Sequence, residues 1–560
     1  MKRPVIALCA ALALLGGLFV VTAGSASAAV SGSSANEFAP SVETNLQIPR
    51  SSTIHHVDAS GVPRPAGNAL VVDSSPSGFA GLTHVDQRTA DGKNQFSLEP
   101  PDQGLCVGNG VVIQTVNDVL RISNTAGGGA STVALNPFFG RGHQIIRATA
   151  GPPPTPAVFG PFISDPKCLF DVPTGRFFVT ALDLDTDPAT GAFGTHTHVD
   201  IAVSTSSTPG TTPASWNVFF LDTTNDGTGG TPSHANCPCL PDQPLIGADA
   251  NGFYISTNEF GPIPSFAHFN GAQVIELKKA SLVAGALVTV KQFNTGTMPA
   301  PDGGTWFSVQ PATVPGSTYA TNTEYFLSAL DFSSDLDNRI AFWTLSGTNT
   351  AAPSLSVQVI ESEVYGQPPA AFQKMGSTPL GDLVHSPLEL LNSNDDRMNQ
   401  VVFAHGLLWS GVNTVVQTPN GPTRVGIAWF AVSPTTAAVT NQGYVAVNNE
   451  NVLFPSIVVS DSGMGVISFS VVGPEIFPST GYAKVNASGA SDVHISGAGV
   501  LPEDGFSGYM AFGGGGTARW GDYSAAVFSD GKVWLAAEYI PGGPRTLFAN
   551  WGTFVTDVAP

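Results

Sequence analysis

A two-strand unit recurs seven times along this chain of 560 residues, and the repetition limits the possible folds more than any other feature. Each copy has a short apolar run, a turn containing Gly or Asp, and a second apolar run. The copies begin at Asp102, Asp165, Asp242, Gln310, Asn399, Phe454 and Asp522. Further strand-like runs lie between the copies, and a hairpin followed by two more strands is the unit of a β-propeller blade. The sequence therefore predicts an all-β fold, a seven-bladed β-propeller, with two β-sandwiches as the alternative.

The N-terminus has the pattern of an export signal. Lys2 and Arg3 form a basic start, residues 5–21 form an apolar core, and Ala26-Ser27-Ala28 is a small-residue cleavage site. The alternative is a single membrane anchor, for which the apolar core is short. Cleavage predicts a mature chain that is secreted, extracellular and without a membrane span.

The repeat also divides the chain. Residues 1–28 are assigned to the signal peptide. Residues 29–95 lack the unit and are predicted to form an extended, partly irregular N-terminal arm. Residues 96–560 are predicted to form the propeller, and we expect it to be a monomer.

The charge balance excludes two classes of partner. The chain has 22 Lys and Arg against 42 Asp and Glu, and removing Lys2 and Arg3 with the signal leaves 20 against 42, a net charge of −22. Such a surface repels nucleic acid and anionic lipid, so we expect neither as a partner.

Four cysteines remain after export, and an even number in an oxidising compartment predicts two disulfides. They are Cys106, Cys168, Cys237 and Cys239. Cys106 and Cys168 have opposite side-chain parity on neighbouring inner strands, which favours a bridge between them. Bridges from Cys237 or Cys239 are the alternatives, and a zinc site at Cys237-Pro238-Cys239 is a competing interpretation.

Polar residues mark the strand ends of the repeat, and antiparallel pairing brings them to one face of the disc, around the channel mouth. Seven of these positions are carboxylates: Asp102, Asp165, Asp183, Asp242, Glu259, Asp331 and Asp522. The simplest interpretation is that they cap turns. Since few cations lie nearby, we weigh against it a site for an extracellular glycan or another small polar ligand. Its predicted residues are Asp102, Asp165, Asp242, Glu259, Asp331, Arg519, Trp520, Asp522 and Tyr539.

Two acidic segments suggest a metal ion, and one of them groups Asp222, Asn225 and Asp226 in "LDTTNDGTGG". Asp183, Asp185 and Asp187 alternate in "ALDLDTDPATG", and hard oxygen ligands at this spacing suit calcium. The alternative is an Asx-rich turn. Calcium is therefore the cofactor to be tested, and the sequence indicates no other.

The sequence does not establish a reaction. It has no G-x-S-x-G elbow, no H-E-x-x-H motif and no phosphate-binding loop. The favoured function is therefore ligand binding at the mouth. A glycoside hydrolase or polysaccharide lyase using paired carboxylates is the alternative, with Glu259, Glu538, Tyr539 and Asp522 as candidate catalytic residues. A structural cell-surface protein is the third possibility.

Three segments carry a resemblance to a known superfamily: "DPK…TGRFFVTALD", "DQPLIGAD…GFYISTNEF" and "RWGDYSAAVFSDGKVW". They resemble blades of secreted bacterial propellers that are loosely sialidase-like. Ser529-Asp530-Gly531 with Trp534 is similar to the Asp-box turn of that superfamily. The resemblance implies a Tyr/Glu pair, for which Tyr539 with Glu259 or Glu538 are the counterparts. Of the three arginines that sialidases use, only Arg519 has a place near the mouth, so the resemblance concerns the fold.

Overall fold

The computed structural model describes residues 46, 48–50, 61–73, 77–148, 157–333 and 335–560. Strands account for 49% of the structure and helices for 7%, which confirms the predicted all-β class. The predicted signal peptide lies outside the described residues. Among the helices that the described ranges contain, none has the length and apolarity needed to cross a bilayer.

Two strands and a helix precede the repeats. They are β1 (Leu70–Val72), β2 (Gly78–Thr83) and α1 (His84–Thr89). Thr83 and Asp86 form a capping box at the start of α1, in which each side chain binds the other residue's backbone N–H. This helix therefore begins where β2 ends.

The first three copies of the repeat form four-stranded antiparallel sheets, which we call sheets 1 to 3. Sheet 1 contains β3 (Gly104–Gly108), β4 (Val111–Val116), β5 (Val119–Asn124) and β6 (Ser131–Ala134). The connection to sheet 2 contains α2 (Leu135–Phe138), β7 (Ile145–Ile146) and β8 (Val158–Phe159). Sheet 2 contains β9 (Phe162–Asp171), β10 (Arg176–Thr186), β11 (Phe193–Ser204) and β12 (Trp216–Asp222). Sheet 3 contains β13 (Leu240–Ala248), β14 (Gly252–Gly261), β15 (His268–Lys278) and β16 (Val290–Asn294), with α3 (Lys279–Val283) after β15.

The next two copies form sheets 4 and 5, which a short parallel pairing of their first strands joins at Ala312 and Val401. Sheet 4 contains β17 (Gln310–Thr313), β18 (Thr323–Ala329), β19 (Leu336–Ser346) and β20 (Ser354–Gly366). The connection contains α4 (Pro379–Val384) and β21 (Leu390–Leu391). Sheet 5 contains β22 (Val401–Ala404), β23 (Leu407–Gln417), β24 (Thr423–Ser433) and β25 (Ala438–Val445).

The last two copies form sheets 6 and 7, and each receives a strand from the N-terminal segment. Sheet 6 contains β26 (Asn451–Val459), β27 (Gly465–Val472), β28 (Ser479–Asn486), β29 (Gly489–Ala490) and β30 (Val493–Gly497). Next come β31 (Thr517–Ala518), which pairs with β21, and sheet 7 with β32 (Ala525–Ser529), β33 (Lys532–Tyr539) and β34 (Gly552–Val558). β1 extends sheet 6 by pairing with β30, and β2 completes sheet 7 by pairing with β34. Part of the predicted arm is therefore built into the sheets.

The first strands of the seven sheets make contacts in a closed cycle. β3 contacts β9, and the series continues through β13, β17, β22, β26 and β32, which contacts β3 again. Apolar side chains fill the spaces between neighbouring sheets. In β10, for example, Phe177 packs towards sheet 1 and Phe178 stacks on Phe253 of sheet 3. Consecutive residues thus face opposite neighbours, as the period-2 pattern requires.

Two disulfides are present among the described cysteines. Cys106 on β3 is bonded to Cys168 on β9, which confirms the favoured pairing and links the first strands of sheets 1 and 2. Cys237 is bonded to Cys239 in the connection before β13. The zinc interpretation of Cys237-Pro238-Cys239 is therefore replaced by a disulfide.

Removing the Cys106–Cys168 bridge is expected to lower the free energy of unfolding by about 2–4 kcal/mol, because the bridge joins residues 62 positions apart. The variant is Cys106→Ala/Cys168→Ala, measured by guanidinium unfolding. The matched control is Cys237→Ala/Cys239→Ala. The bridge that this variant removes joins residues only 2 positions apart, so it restricts the unfolded chain little. Equal losses in the two variants would contradict this expectation.

Candidate functional site

The first strands share an unusual backbone feature near their starts. Six residues there adopt the left-handed region with φ between 42° and 57°: Asp102, Asp165, Gln243, Ser308, Phe454 and Asp522. The pairing register shifts at the same position in sheets 2, 3 and 6. Left-handed backbone is costly for residues other than Gly, and Asp tolerates it best among the remaining side chains. The three aspartates at this position therefore have a conformational reason as well as a chemical one.

Five residues near the starts of β3, β9 and β32 lie close enough to interact electrostatically, and we call them the axial cluster. They are Asp102, Asp165, Lys167, Asp522 and Tyr523. The Lys167 ammonium lies 2.8 Å from the centre of the Tyr523 ring. Burial lowers the pKa of Lys167 to about 7, although Asp102, Asp165 and Asp522 each act to raise it. The cluster thus places one amine among three carboxylates.

Hydrogen bonds tie the axial cluster to the neighbouring sheets. Asn117 donates from Nδ2 to Oδ2 of Asp102 at 2.7 Å, and its Oδ1 accepts the backbone N–H of Asp165 at 2.9 Å. Asp165 Oδ2 in turn accepts the backbone N–H of Gln243 at 3.2 Å. Burial and the charge of Asp522 raise the pKa of Asp165. Asp102 and Asp165 are only 1% and 6% exposed, so these two carboxyls support the mouth from within.

Asp522 is more exposed than these two carboxyls, and two arginines lie near it. Asp522 and Arg519 form an ion pair, and their side chains are 18% and 19% exposed. Arg397 binds Asp395 with 2.7 Å between Nε and Oδ1, and the carboxylates of Asp242 and Asp522 both raise its pKa. The structure thus brings Asp242 and Asp522 to the same guanidinium. Sequence reasoning missed Arg397, and its signal was the Asp395-Asp396-Arg397 run directly before the fifth repeat.

Beyond their polar starts, the first strands of the sheets carry mainly apolar side chains. A narrow cavity there is lined mainly by apolar side chains, among them Cys106, Leu169, Val458 and Val527. This cavity therefore offers few hydrogen-bonding groups.

Glu259 lies in a separate polar group. It is fully buried, and its carboxylate accepts hydrogen bonds from Asn225, from Asn270 Nδ2 at 2.9 Å and from His234 Nδ1 at 3.0 Å. These partners anchor the connection between β12 and β13 to sheet 3. The structure therefore gives Glu259 polar partners within and beside its own sheet, whereas Asp242 and Asp522 lie near Arg397.

Asp331 also has a partner away from the axial cluster. Arg50, from the N-terminal segment, lies 2.9 Å from Asp331 Oδ2 and 2.8 Å from Asp396 Oδ1. Both carboxylates are fully buried. The predicted arm therefore contributes a buried counter-ion to sheet 4 and to the segment before sheet 5.

Three predicted residues near the C-terminus are buried. Glu538 accepts the backbone N–H of Gly521 at 2.8 Å, and burial raises its pKa. Tyr539 points to the other face of β33 and packs edge-to-face on Phe554, with 5.7 Å between ring centres. Trp520 lies in an apolar cluster with no exposed surface. Glu538 and Tyr539 therefore do not form a side-by-side pair, and neither Trp520 nor Tyr539 offers a ring face to a sugar.

A second set of carboxyls lies beside the mouth, and sequence reasoning missed it. Glu99, Glu389 and Glu503 come from three distant segments and are 6%, 4% and 2% exposed. Burial raises the pKa of Glu99 to about 8 and that of Glu389 to about 9, and neighbouring acidic groups add to both shifts. Neither carboxylate oxygen of Glu389 has a hydrogen-bond partner among the described residues. Glu99 and Glu389 are therefore protonated near neutral pH, and burial also raises the pKa of Glu503.

The predicted calcium ligands do not stay together. Asp183 and Asp185 lie near His198, with one ligand atom of each within 4.8 Å of the others. Asp187 instead lies in an exposed turn, where its Oδ1 accepts the backbone N–H groups of Ala189 and Thr190 at 2.8 Å each. The alternating acids thus separate because the strand ends between them.

Comparison with known proteins gave structural likenesses only, since no protein-family model and no curated protein matches the sequence. A sialidase from Trypanosoma rangeli has 12% identity and a TM-score of 0.33, over 71% of this chain and 55% of the sialidase. A protein of unknown function from Dyadobacter fermentans has 10% identity and a TM-score of 0.31, over 70% and 93%. An α-L-arabinofuranosidase from Podospora anserina has 9% identity and a TM-score of 0.26, over 57% of this chain and 91% of the arabinofuranosidase. This chain therefore spans about half the length of the sialidase, at 55%. We draw the function from its own side chains.

The buried glutamates predict a pH-dependent stability. A glutamate ionises near pH 4.5 when unfolded, whereas the pKa of Glu99 is about 8 and that of Glu389 about 9 in the folded protein because of burial. Between these values the folded state binds more protons, so their contribution to the free energy of unfolding decreases as the pH rises. Glu389→Gln is therefore expected to stabilise the protein at pH 9 by on the order of 2 kcal/mol and to have little effect at pH 4.

Urea unfolding at the two pH values measures this difference. Glu361→Gln is the control, because Glu361 is an exposed residue of β20. A Glu389→Gln effect of the same size at both pH values would show that the variant acts through packing and not through a buried charge.

Proposed function

We propose that this chain is a secreted protein that binds an extracellular glycan or a similar hydroxyl-rich ligand at the mouth formed around the axial cluster. The observation that carries the proposal is the convergence of Asp242, Asp522, Arg519 and Lys167, all partly exposed, above the buried Asp102 and Asp165. Carboxylates accept hydrogen bonds from sugar hydroxyls, while the guanidinium and amine donate to ring and hydroxyl oxygens.

The proposed architecture is a seven-bladed propeller, and the closed cycle of contacts among the first strands supports it. Residues 96–560 would form the propeller, and the segment before residue 96 would supply the outer strands β1 and β2. The pairing of β2 with β34 supports a ring closed by the two ends of the chain. In a closed domain of this kind the free sheet edges are confined to the outer strands, which is consistent with a monomer.

The proposal of secretion rests on two features. The first is the signal-like N-terminus, and the second is the pair of disulfides, which persist in oxidising compartments. The net charge of −22 after removal of the signal fits a soluble partner of neutral or basic character.

The ligand-binding set in this proposal is smaller than the sequence predicted. Trp520 and Tyr539 are omitted because both are buried, at 0% and 8% exposure. Glu259 and Asp331 are omitted because His234 and Arg50 are their respective partners. The ligand would therefore be held mainly through hydrogen bonds and charge, with few stacking contacts.

One observation favours a second candidate, a glycoside hydrolase. Burial and Asp522 raise the pKa of Asp165, so this carboxyl holds a proton more readily than Asp522, which is more exposed to water. Such a pair divides the roles of general acid and general base or nucleophile. In this scheme Asp165 donates the proton to the leaving oxygen and Asp522 acts on the opposite side. A reducing-sugar assay across polysaccharides, with Asp165→Asn as the inactive reference, tests it.

Asp522→Asn is expected to weaken glycan binding at least tenfold, because it removes a partly exposed acceptor of the mouth and the ion pair between Asp522 and Arg519. Binding would be measured on a glycan array and then by calorimetry with the best ligand. The chain offers a matched control, Asp530→Asn, at the exposed turn of the same hairpin.

Two results would overturn the proposal. The first is a wild-type protein that binds no glycan on the array. The second is an Asp522→Asn variant that keeps the wild-type melting temperature and the wild-type affinity, which would place the ligand elsewhere.

A further inference from the structure

A row of ionisable side chains crosses sheet 2 away from the axial cluster. Asp183 on β10 lies directly opposite His198 on β11, and His198 lies directly opposite Asp222 on β12. Residues directly opposite each other share a face of a sheet, so the three side chains project to the same side. On that side Asp200 lies beside them, opposite Ala181 and Phe220.

Asp185 joins this row because of an irregularity in β10. The register between β10 and β11 shifts between Leu184 and Thr186, which leaves Asp185 out of the ladder. As a result, a carboxylate oxygen of Asp183, one of Asp185 and a ring nitrogen of His198 all lie within 4.8 Å of one another. Two ligand atoms that each lie about 2.0–2.2 Å from the same zinc-sized ion are less than 4.8 Å apart, so the observed separations are compatible with one shared ion.

The charges around the row are unbalanced. One guanidinium, that of Arg141, faces four carboxylates: Asp183, Asp185, Asp200 and Asp222. It lies 2.5 Å from Asp183 Oδ2 and 3.4 Å from Asp200 Oδ1. Asp183 is fully buried, and its carboxyl group is hydrogen-bonded to the carboxyl group of Asp200. Carboxyl groups packed this closely around one guanidinium leave an excess of negative charge, which a bound cation beside His198 would offset.

We propose that Asp183, Asp185 and His198 bind one divalent transition-metal ion of the zinc and manganese class. The imidazole nitrogen favours such an ion over calcium, which prefers oxygen ligands alone. Asp185 and His198 are partly exposed, so an ion from solvent reaches the site, and the open side leaves room for water ligands. The site is independent of the ligand proposed for the mouth.

The proposal also separates two neighbouring aspartates that the sequence had grouped together. Asp187 is two residues beyond Asp185, but its carboxylate caps an exposed turn. Asp187→Asn is therefore a matched control that removes the same charge from the same segment and leaves the three ligands in place. A calcium site formed by alternating acids would respond to this variant, whereas the proposed site would not.

The experiment is calorimetric titration of the full mature chain, without an affinity tag and after chelator treatment, with ZnCl₂, MnCl₂ and CaCl₂ separately. We expect one Zn²⁺ or Mn²⁺ per chain and much weaker binding of Ca²⁺. Asp185→Asn and His198→Ala should each lower the affinity more than tenfold, and Asp187→Asn should leave it unchanged. Asp185 and His198 are chosen because, unlike Asp183, they are partly exposed, and circular dichroism checks the fold of each variant.

Three results would overturn the site. One is the absence of stoichiometric Zn²⁺ or Mn²⁺ binding to the wild type. Another is binding that survives both Asp185→Asn and His198→Ala, which would locate the ion at other residues. The third is calcium binding that Asp187→Asn abolishes, which would restore the oxygen-only site in the turn.

Discussion

The contact between the first and last sheets is the constraint on which the remaining structure depends. β32 contacts β3, and Gln103 donates from its side-chain amide to the carbonyl of Tyr523, 420 residues away. Gln114 and Thr553 add a second link of 2.7 Å between the same sheets. Without this contact Asp522 and Tyr523 would lie at an open end, far from Asp102 and Lys167. The axial cluster is thus a product of ring closure and not of local sequence.

Closure of the ring buries the carboxyl groups of the axial cluster and its surroundings, and this burial costs free energy. Carboxyl groups that enter the ring lose hydration, and only some of them gain a cation, as Asp331 does from Arg50 and Asp522 from Arg519. For others, such as Glu389 and Asp165, burial raises the pKa instead. The centre therefore combines charged groups that face water with buried acids of raised pKa behind them, an arrangement that stability alone would not favour.

Much of the fold could be predicted from the sequence, because each hairpin is specified locally by apolar runs and turn residues. All seven predicted hairpins correspond to strand pairs, from β3–β4 to β32–β33. The site was less predictable, since a side chain's surroundings depend on loops that the repeat does not describe. Glu259 ends a second strand as predicted, but the connection carrying Asn225 and His234 folds over it. Tyr539 was assigned to the mouth by counting, yet strand alternation turns it towards Phe554.

The outer edge of sheet 7 has a consequence for the order of synthesis. β2 lies near the N-terminus and pairs with β34, so that Thr553 donates its hydroxyl proton to the carbonyl of Leu82 across 471 residues. β2 is therefore made well before its partner β34, and it stays unpaired while the intervening sheets are made. Sheet 7 cannot be completed before β34 is available, so its closure is delayed relative to sheets 1 to 6.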